Sequence, residues 1–145
     1  MNKKEIFEFM NKNPGFHLAT VDKDIPKVRG MLLFRADENG IIFHTSAVKD
    51  VYRQISVNPN VELCFNDLQG GEQVRVSGKL EELDDKALKD EIVVHPTRGF
   101  LQMVIKSMPS KEAFFESFKV FNLKGGKAQV WTMQTNMTPK EYINL

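Results

Sequence analysis

The sequence predicts a mainly β chain, with about seven antiparallel strands closing or nearly closing a small barrel and with peripheral helices around it. Three observations lead there. Turn signals join strand candidates directly, at Asp37-Glu38-Asn39-Gly40 and at Lys124-Gly125-Gly126-Lys127. The segment from Gln73 to Leu83 begins in clean alternation, with Val74, Val76, Gly78 and Leu80 on one face and Gln73, Arg75, Ser77 and Lys79 on the other. No regular crossover helices separate the strands, which disfavours a parallel doubly wound sheet.

Each element has its own warrant. Residues 3 to 12 carry Ile6, Phe7, Phe9 and Met10 on one side of a helical period, stopped by Asn13-Pro14-Gly15. Phe16 to Val21 is a β-rich run closed by Asp22-Lys23-Asp24. Lys27 to Arg35 follows, and Ile41 to His44 returns from the asparagine–glycine turn. The period then changes. Val48, Val51, Tyr52 and Ile55 recur at spacings of three and four, so Ala47 to Val57 reads as a helix, ended by Asn58-Pro59-Asn60. Val61 to Phe65 and Gln73 to Leu83 are strands. Asp84-Asp85 starts a helix running to Val94, and Phe100 to Ile105 is a short helix or turn. Phe114 to Leu123 and Ala128 to Met133 read as the last two strands, and Thr138 to Leu145 as a weak helix.

Composition limits the function. The 145 residues fit a single domain spanning 1–145, long enough to bury a true core. Twenty Lys and Arg against 19 Asp and Glu give a net charge of +1, which argues against a broad basic face for nucleic acid. The single Cys64 excludes an internal disulfide and reads as a core thiol. No apolar run approaches membrane-spanning length and no signal peptide precedes Met1-Asn2-Lys3-Lys4-Glu5, so no membrane association and a reducing, cytoplasmic setting are expected. His17, His44 and His95 are widely spread and lack metal-site spacing, so no metal is expected. The acidic cluster Glu81, Glu82, Asp84 and Asp85 reads as a solvated strand end and helix start rather than a catalytic pair. There is no Walker loop and no GxGxxG.

One junction stands out. His44-Thr45-Ser46-Ala47-Val48-Lys49 runs from a strand into a helix, with Thr45 or Ser46 expected as the N-cap. Free N–H groups and two hydroxyls there suit an anion of phosphate size. Lys49 would fall in the first helical turn, where the helix dipole disfavours a cation. The competing reading is a solvent-facing lysine offset by Asp50. Arg29 lies on the strand before the hairpin, opposite Val28, Gly30 and Leu32, where pairing could carry it toward Thr45 and Ser46; its fork suits phosphate oxygens. A surface ion pair is the competing reading. Gly30 would admit a flat ligand, and the Gln73 amide could read a heterocycle edge.

Five segments occur together in order: Phe16-His17-Leu18-Ala19-Thr20-Val21, Val28-Arg29-Gly30-Met31-Leu32, Ile42-Phe43-His44-Thr45-Ser46 with Lys49, Asn58-Pro59-Asn60-Val61-Glu62-Leu63, and Gln73-Val74-Arg75-Val76-Ser77-Gly78. Over roughly residues 5 to 133 the chain resembles the pyridoxamine 5′-phosphate oxidase-like, FMN-binding split-barrel proteins, in particular their short general stress and nitroimidazole-resistance members. The resemblance implies a six- or seven-stranded antiparallel split barrel, and a homodimer binding FMN at the subunit interface. It puts Arg29 and Lys49 on the FMN phosphate. It puts Gly30, Met31 and Leu32 along the flavin ring, His44 and Thr45 at the family's aromatic–threonine pair with histidine for tyrosine, Ser46 beside them, and Gln73 on the flavin.

Two departures count against pyridoxamine phosphate oxidation itself. Thr45 and Lys49 are only four apart, without the extra arginine found in the oxidases, and no arginine follows Arg98. The expected function is a flavin-dependent oxidoreductase acting on some other small molecule, with no catalytic acid or base assigned. The alternative is a non-catalytic binding or storage protein for a flavin, F420 or haem on the same barrel.

Overall fold

The computed structural model describes all residues, 1–145. Its order is α1 (Lys3–Lys12), β1 (Gly15–Asp22), β2 (Ile25–Asp37), β3 (Gly40–Ser46), α2 (Asp50–Val57), β4 (Asn60–Asp67), β5 (Glu72–Leu83), α3 (Lys86–Val94), a 3-10 turn (Pro96–Arg98), α4 (Phe100–Ser107), α5 (Lys111–Ser117), β6 (Phe118–Leu123), β7 (Lys127–Thr132) and β8 (Ile143–Asn144). No helix is long and apolar enough to cross a membrane.

The strands form one antiparallel sheet in the order β4-β1-β2-β3-β6-β5-β7-β8, and β4 also pairs with β5. That extra pairing closes six strands into a barrel and leaves β7 and β8 outside it. Two long strands make the closure. β2 pairs with β1 through Leu32 and with β3 from Leu33 onward, with an irregularity between Leu33 and Arg35. β5 pairs with β4 along Glu72 to Lys79, then with β6 along Leu80 to Leu83. Gly78 lies just before that exchange, and a β-carbon there would meet Leu123 at 3.1 Å.

The inward side chains form a core that includes Phe16, Leu18, Phe43, Leu63, Phe65, Val74 and Val76. Phe16 stacks on Phe65 and meets Phe43 edge-on. Helix α1 adds Ile6 and Met10, both fully buried, to the same core. Its Asn2–Glu5 capping box secures the first turn. A second, smaller core joins the outer side of β3 and β6, through Ile42, Phe118 and Val120, to Leu88, Ile92, Val93, Leu101 and Phe114.

Several expectations change. Phe114 to Leu123 is not a continuous strand: residues through Ser117 are helix α5, and β6 starts at Phe118. Ser110 caps α5 by accepting from Ala113 N–H, and Phe114 stacks on Phe118 at helical spacing. Thr138 to Leu145 is not a helix. It is irregular up to β8, which pairs with Lys127 and Ala128, and Leu145 N–H bonds Gly126 O. Helix α2 starts at Asp50 rather than Ala47, because β3 continues pairing to Ser46 opposite Phe118. The Asn39-Gly40 turn holds: Asp37 Oδ1 accepts from Asn39 N–H at 2.7 Å, and Gly40 takes φ 129°. Asp85 caps α3 by accepting from Leu88 N–H at 3.0 Å.

Candidate functional site

Register and alternation place Arg29. On β1, Phe16, Leu18 and Thr20 point inward; opposite them on β2 stand Met31, Arg29 and Lys27. Arg29 is therefore on the inner face but near the strand's open end, where α2 packs against β1. Its Nη1 donates to Thr20 Oγ1 at 2.7 Å and to Leu18 O at 3.2 Å, and its Nη2 donates to Gln54 Oε1 at 2.6 Å. Gln54 Oε1 also accepts from Thr20 Oγ1 at 2.6 Å. Thr20 and Gln54 are 2% and 4% exposed, so the cradle is rigid. All three acceptors are neutral. The guanidinium is oriented and its charge is left unneutralised, with donors to spare. Burial pulls its pKa below the ordinary arginine value and Asp50 opposes that, yet an arginine here stays charged at neutral pH.

Arg29 and Lys49 line one open cleft of about 540 Å³ between β2 and the start of α2, together with Lys27, Gly30, Met31, Val51 and Gln54. Neither Arg29 nor Lys49 is in an ion pair. The cleft also contains Asp22 and Asp50. Both carboxylates are drawn to Arg53, Asp22 through bonds of 2.9 and 3.2 Å and Asp50 at 3.8 Å. The Arg53 hydrogen bond holds the Asp22 carboxyl below its usual range. Three unpaired cations are left facing the cleft, against two carboxylates already engaged.

The helix start adds to this field, but not as the sequence suggested. The N-cap of α2 is Lys49, in extended backbone, and its side chain makes no capping hydrogen bond. Thr45 and Ser46 do not cap the helix. Ser46 ends β3 and closes a turn instead, its carbonyl accepting from Lys49 N–H at 3.1 Å. Lys49 accordingly precedes the first turn rather than lying in it. The first amides of α2 have no side-chain acceptor, and the residues that carry them, Asp50 and Val51, line the cleft. Gly30 has open space in front of it.

The remaining expected residues do not line this cleft. Leu32 faces outward beside Val28, and the two are 38% and 69% exposed. Thr45 is 6% exposed and its Oγ1 has no partner. Ser46 Oγ accepts weakly from Val48 N–H at 3.5 Å. His44 points to the other side of β3, beside Phe118, and accepts from Arg98 Nε at 2.9 Å. Gln73 is on the outward face of β5, donating to Asn66 Oδ1 at 2.8 Å, with Trp131 as its cross-strand neighbour.

Sequence reasoning passed over Thr20, Gln54, Arg53 and Arg98. A signal existed for two of them. Thr20 continues the inward alternation of Phe16 and Leu18, and Gln54 lies beside the apolar stripe of Val51 and Ile55. A polar residue on a buried stripe must find a partner; here each is the other's, with Arg29 as the third member.

Comparison with known proteins agrees with this architecture. The family described as pyridoxamine 5′-phosphate oxidase matches residues 3–129. A pyridoxine/pyridoxamine 5′-phosphate oxidase from Ehrlichia ruminantium is 37% identical over 82 residues, which is 55% of this chain and 42% of that protein. The match thus spans less than half the length of that curated relative. A NimC/NimA family protein from Clostridium acetobutylicum superposes with a TM-score of 0.74 at 22% identity, covering 98% of this chain and 92% of the other. A pyridoxamine 5′-phosphate oxidase-related, FMN-binding protein from Nostoc punctiforme superposes with a TM-score of 0.65 at 17% identity, covering 99% and 95%. At these identities the two structures speak for the fold. The barrel, the order of its strands and the family match over most of the sequence together show that this chain belongs to the pyridoxamine 5′-phosphate oxidase family.

Proposed function

We propose that this protein binds FMN, with the phosphate at Arg29 and Lys49, and serves as a flavin-dependent oxidoreductase for a small molecule other than pyridoxamine phosphate. The observation that carries the reading is that no carboxylate hydrogen-bonds or ion-pairs with Arg29. It is held by Thr20, Leu18 O and Gln54 without any carboxylate, in the cleft that also holds Lys49. An arginine oriented by neutral acceptors is prepared for a dianion, because binding need not break an ion pair first. The start of α2, which no side chain caps, adds the positive end of a helix dipole beside the cleft.

The residues present fit FMN. Arg29, Lys49 and the α2 amides would take its phosphate, and the open backbone at Gly30 beside Met31 would border its ring. Bound flavin supplies hydride and electron transfer. The chain's own part is to bind, orient and shield it. A single copy leaves that task incomplete, since Val28, Gly30 and Leu32 form an open outward face on β2. We propose a homodimer in which a second copy covers this face and closes the ring site, bringing Gln73 into it across the interface. Leu32, Thr45 and Ser46 would flank the bound group from β2 and β3. The haem alternative is disfavoured at His44, whose Nε2 is already taken by Arg98.

The test is direct. The purified protein should be yellow or take up FMN on titration, and the Arg29→Ala, Lys49→Ala double variant should lose affinity by about 100-fold or more. Uptake of FMN that is unaffected by the double substitution would reject the clamp. Reduction of the bound flavin by NADH or NADPH, and its reoxidation by a quinone or nitroaromatic, separates an oxidoreductase from a storage protein.

A further inference from the structure

Two carboxylates stand among the cations of the Arg29–Lys49 cleft. Asp22 lines it from the end of β1 and Asp50 from the start of α2, beside Lys27, Arg29 and Lys49. A free carboxylate facing a phosphate repels it. Such a lining disfavours an anion unless the two negative charges are engaged elsewhere, and one side chain engages both.

Helix α2 reaches β1 through two neighbouring residues. Gln54 meets Thr20, where the Arg29 cradle is built. One inward position further along β1, at the strand's end, Arg53 meets Asp22. This contact sets fork against fork: Nη1 donates to Oδ1 at 3.2 Å and Nη2 to Oδ2 at 2.9 Å. The same Nη2 lies 3.8 Å from Oδ1 of Asp50, three residues back on the helix. One guanidinium thus spans both carboxylates, and Arg53 itself does not line the cleft.

As a brace between α2 and β1 the pair is weak. The Arg53 side chain is 54% exposed, and an ion pair in contact with water adds little stability. Its effect on the cleft does not depend on that stability. Without Arg53, two unengaged negative charges would stand beside Lys27, Arg29 and Lys49 and cancel most of their field. The Asp50 carboxylate is already close enough to Arg29 to oppose the effect of burial on the guanidinium.

We propose that Arg53 is a positioning residue for anion binding: it holds Asp22 and Asp50 as ion pairs, so that Lys27, Arg29 and Lys49 present a net positive cleft to a phosphate. Arg53 acts through the two carboxylates rather than on the ligand. The proposal rests on the phosphate reading of the cleft and is independent of what the phosphate is attached to.

Breaking the Arg53–Asp22 bridge from each end separates this role from a structural one. Titration calorimetry of the full chain with FMN, and separately with inorganic phosphate, makes the comparison. Arg53→Ala frees two carboxylates and should weaken binding about tenfold, whereas Asp22→Asn frees a guanidinium and should strengthen it about threefold. The double variant Arg53→Ala, Asp22→Asn should recover part of the loss. Arg53→Lys, which keeps the charge without the fork, should stay within about threefold of wild type. A mere brace would lose affinity when broken from either end, and lysine would not restore it. Losses of the same sign in Arg53→Ala and Asp22→Asn overturn the proposal, and leave the flavin reading standing where FMN binds the wild-type chain. Opposite signs with inorganic phosphate, in a chain that takes up no FMN, uphold the proposal and sink the flavin reading. A wild-type chain that binds neither sinks both.

Discussion

Gln54 and Arg29 are joined by a 2.6 Å hydrogen bond between a buried amide oxygen and a half-buried guanidinium. The helix whose first residues line the cleft thus also orients the strand arginine on the cleft's other wall.

This pair yields a prediction with two signs. Gln54→Glu would place a carboxylate on Arg29 and neutralise the cleft. The variant should keep or raise its thermal midpoint, because a buried pair replaces a buried amide bond, and should lose FMN affinity by at least about tenfold. Gln54→Leu should lose affinity and also about 1–3 kcal/mol of stability, since Thr20 Oγ1 and Arg29 lose an acceptor. Thermal unfolding and flavin-fluorescence titration of both variants give the comparison.

His44 sets a pH dependence. Burial, with Arg98 and Lys49 adding repulsion, lowers its pKa from 6.5 to about 4. In the window between those values the unfolded chain takes up a proton that the folded chain refuses, so stability falls as pH falls. The loss from this group is about 2 kcal/mol between about pH 7 and about pH 5. Urea unfolding of wild type and His44→Gln at both pH values should show that part of the slope disappear in the variant. An identical slope would mean that His44 titrates normally.

Gly78 tests the barrel closure. A β-carbon at this position would meet three side-chain carbons of Leu123 at 3.1 to 3.3 Å. Gly78→Val should cost about 1–3 kcal/mol by overpacking, and Leu123→Ala in the same chain should recover part of that cost. Additive losses in denaturant unfolding would show that the contact is not the constraint.

Much of this fold was legible because its signals are local. Alternation along β5, the Asn39-Gly40 turn and the Asp85 cap each need only a few neighbouring residues. Phe114 to Leu123 was misread because an aromatic-rich run looks like a strand, while Ser110 and the i,i+4 spacing of Phe114 and Phe118 made its first part a helix. The site was half legible. Arg29 and Lys49 could be named from the kind of chemistry they offer and from the family resemblance. Gln54, Thr20 and Arg98 could not be assigned roles, because their partners lie 25, 9 and 54 positions away along the chain. The N-cap was misplaced for a related reason. Pairing of Ser46 with a strand distant in sequence carried β3 past the hydroxyls that would otherwise have capped α2.

The central claim is that the cleft of Arg29 and Lys49 recognises a phosphate. The most direct measurement is calorimetric titration of the wild-type chain with FMN and with riboflavin, which share a ring and differ in the phosphate. FMN should bind at least about 100-fold more tightly, and the gap should shrink to about tenfold or less in Lys49→Ala. Equal affinity for FMN and riboflavin in the wild-type chain would contradict the account.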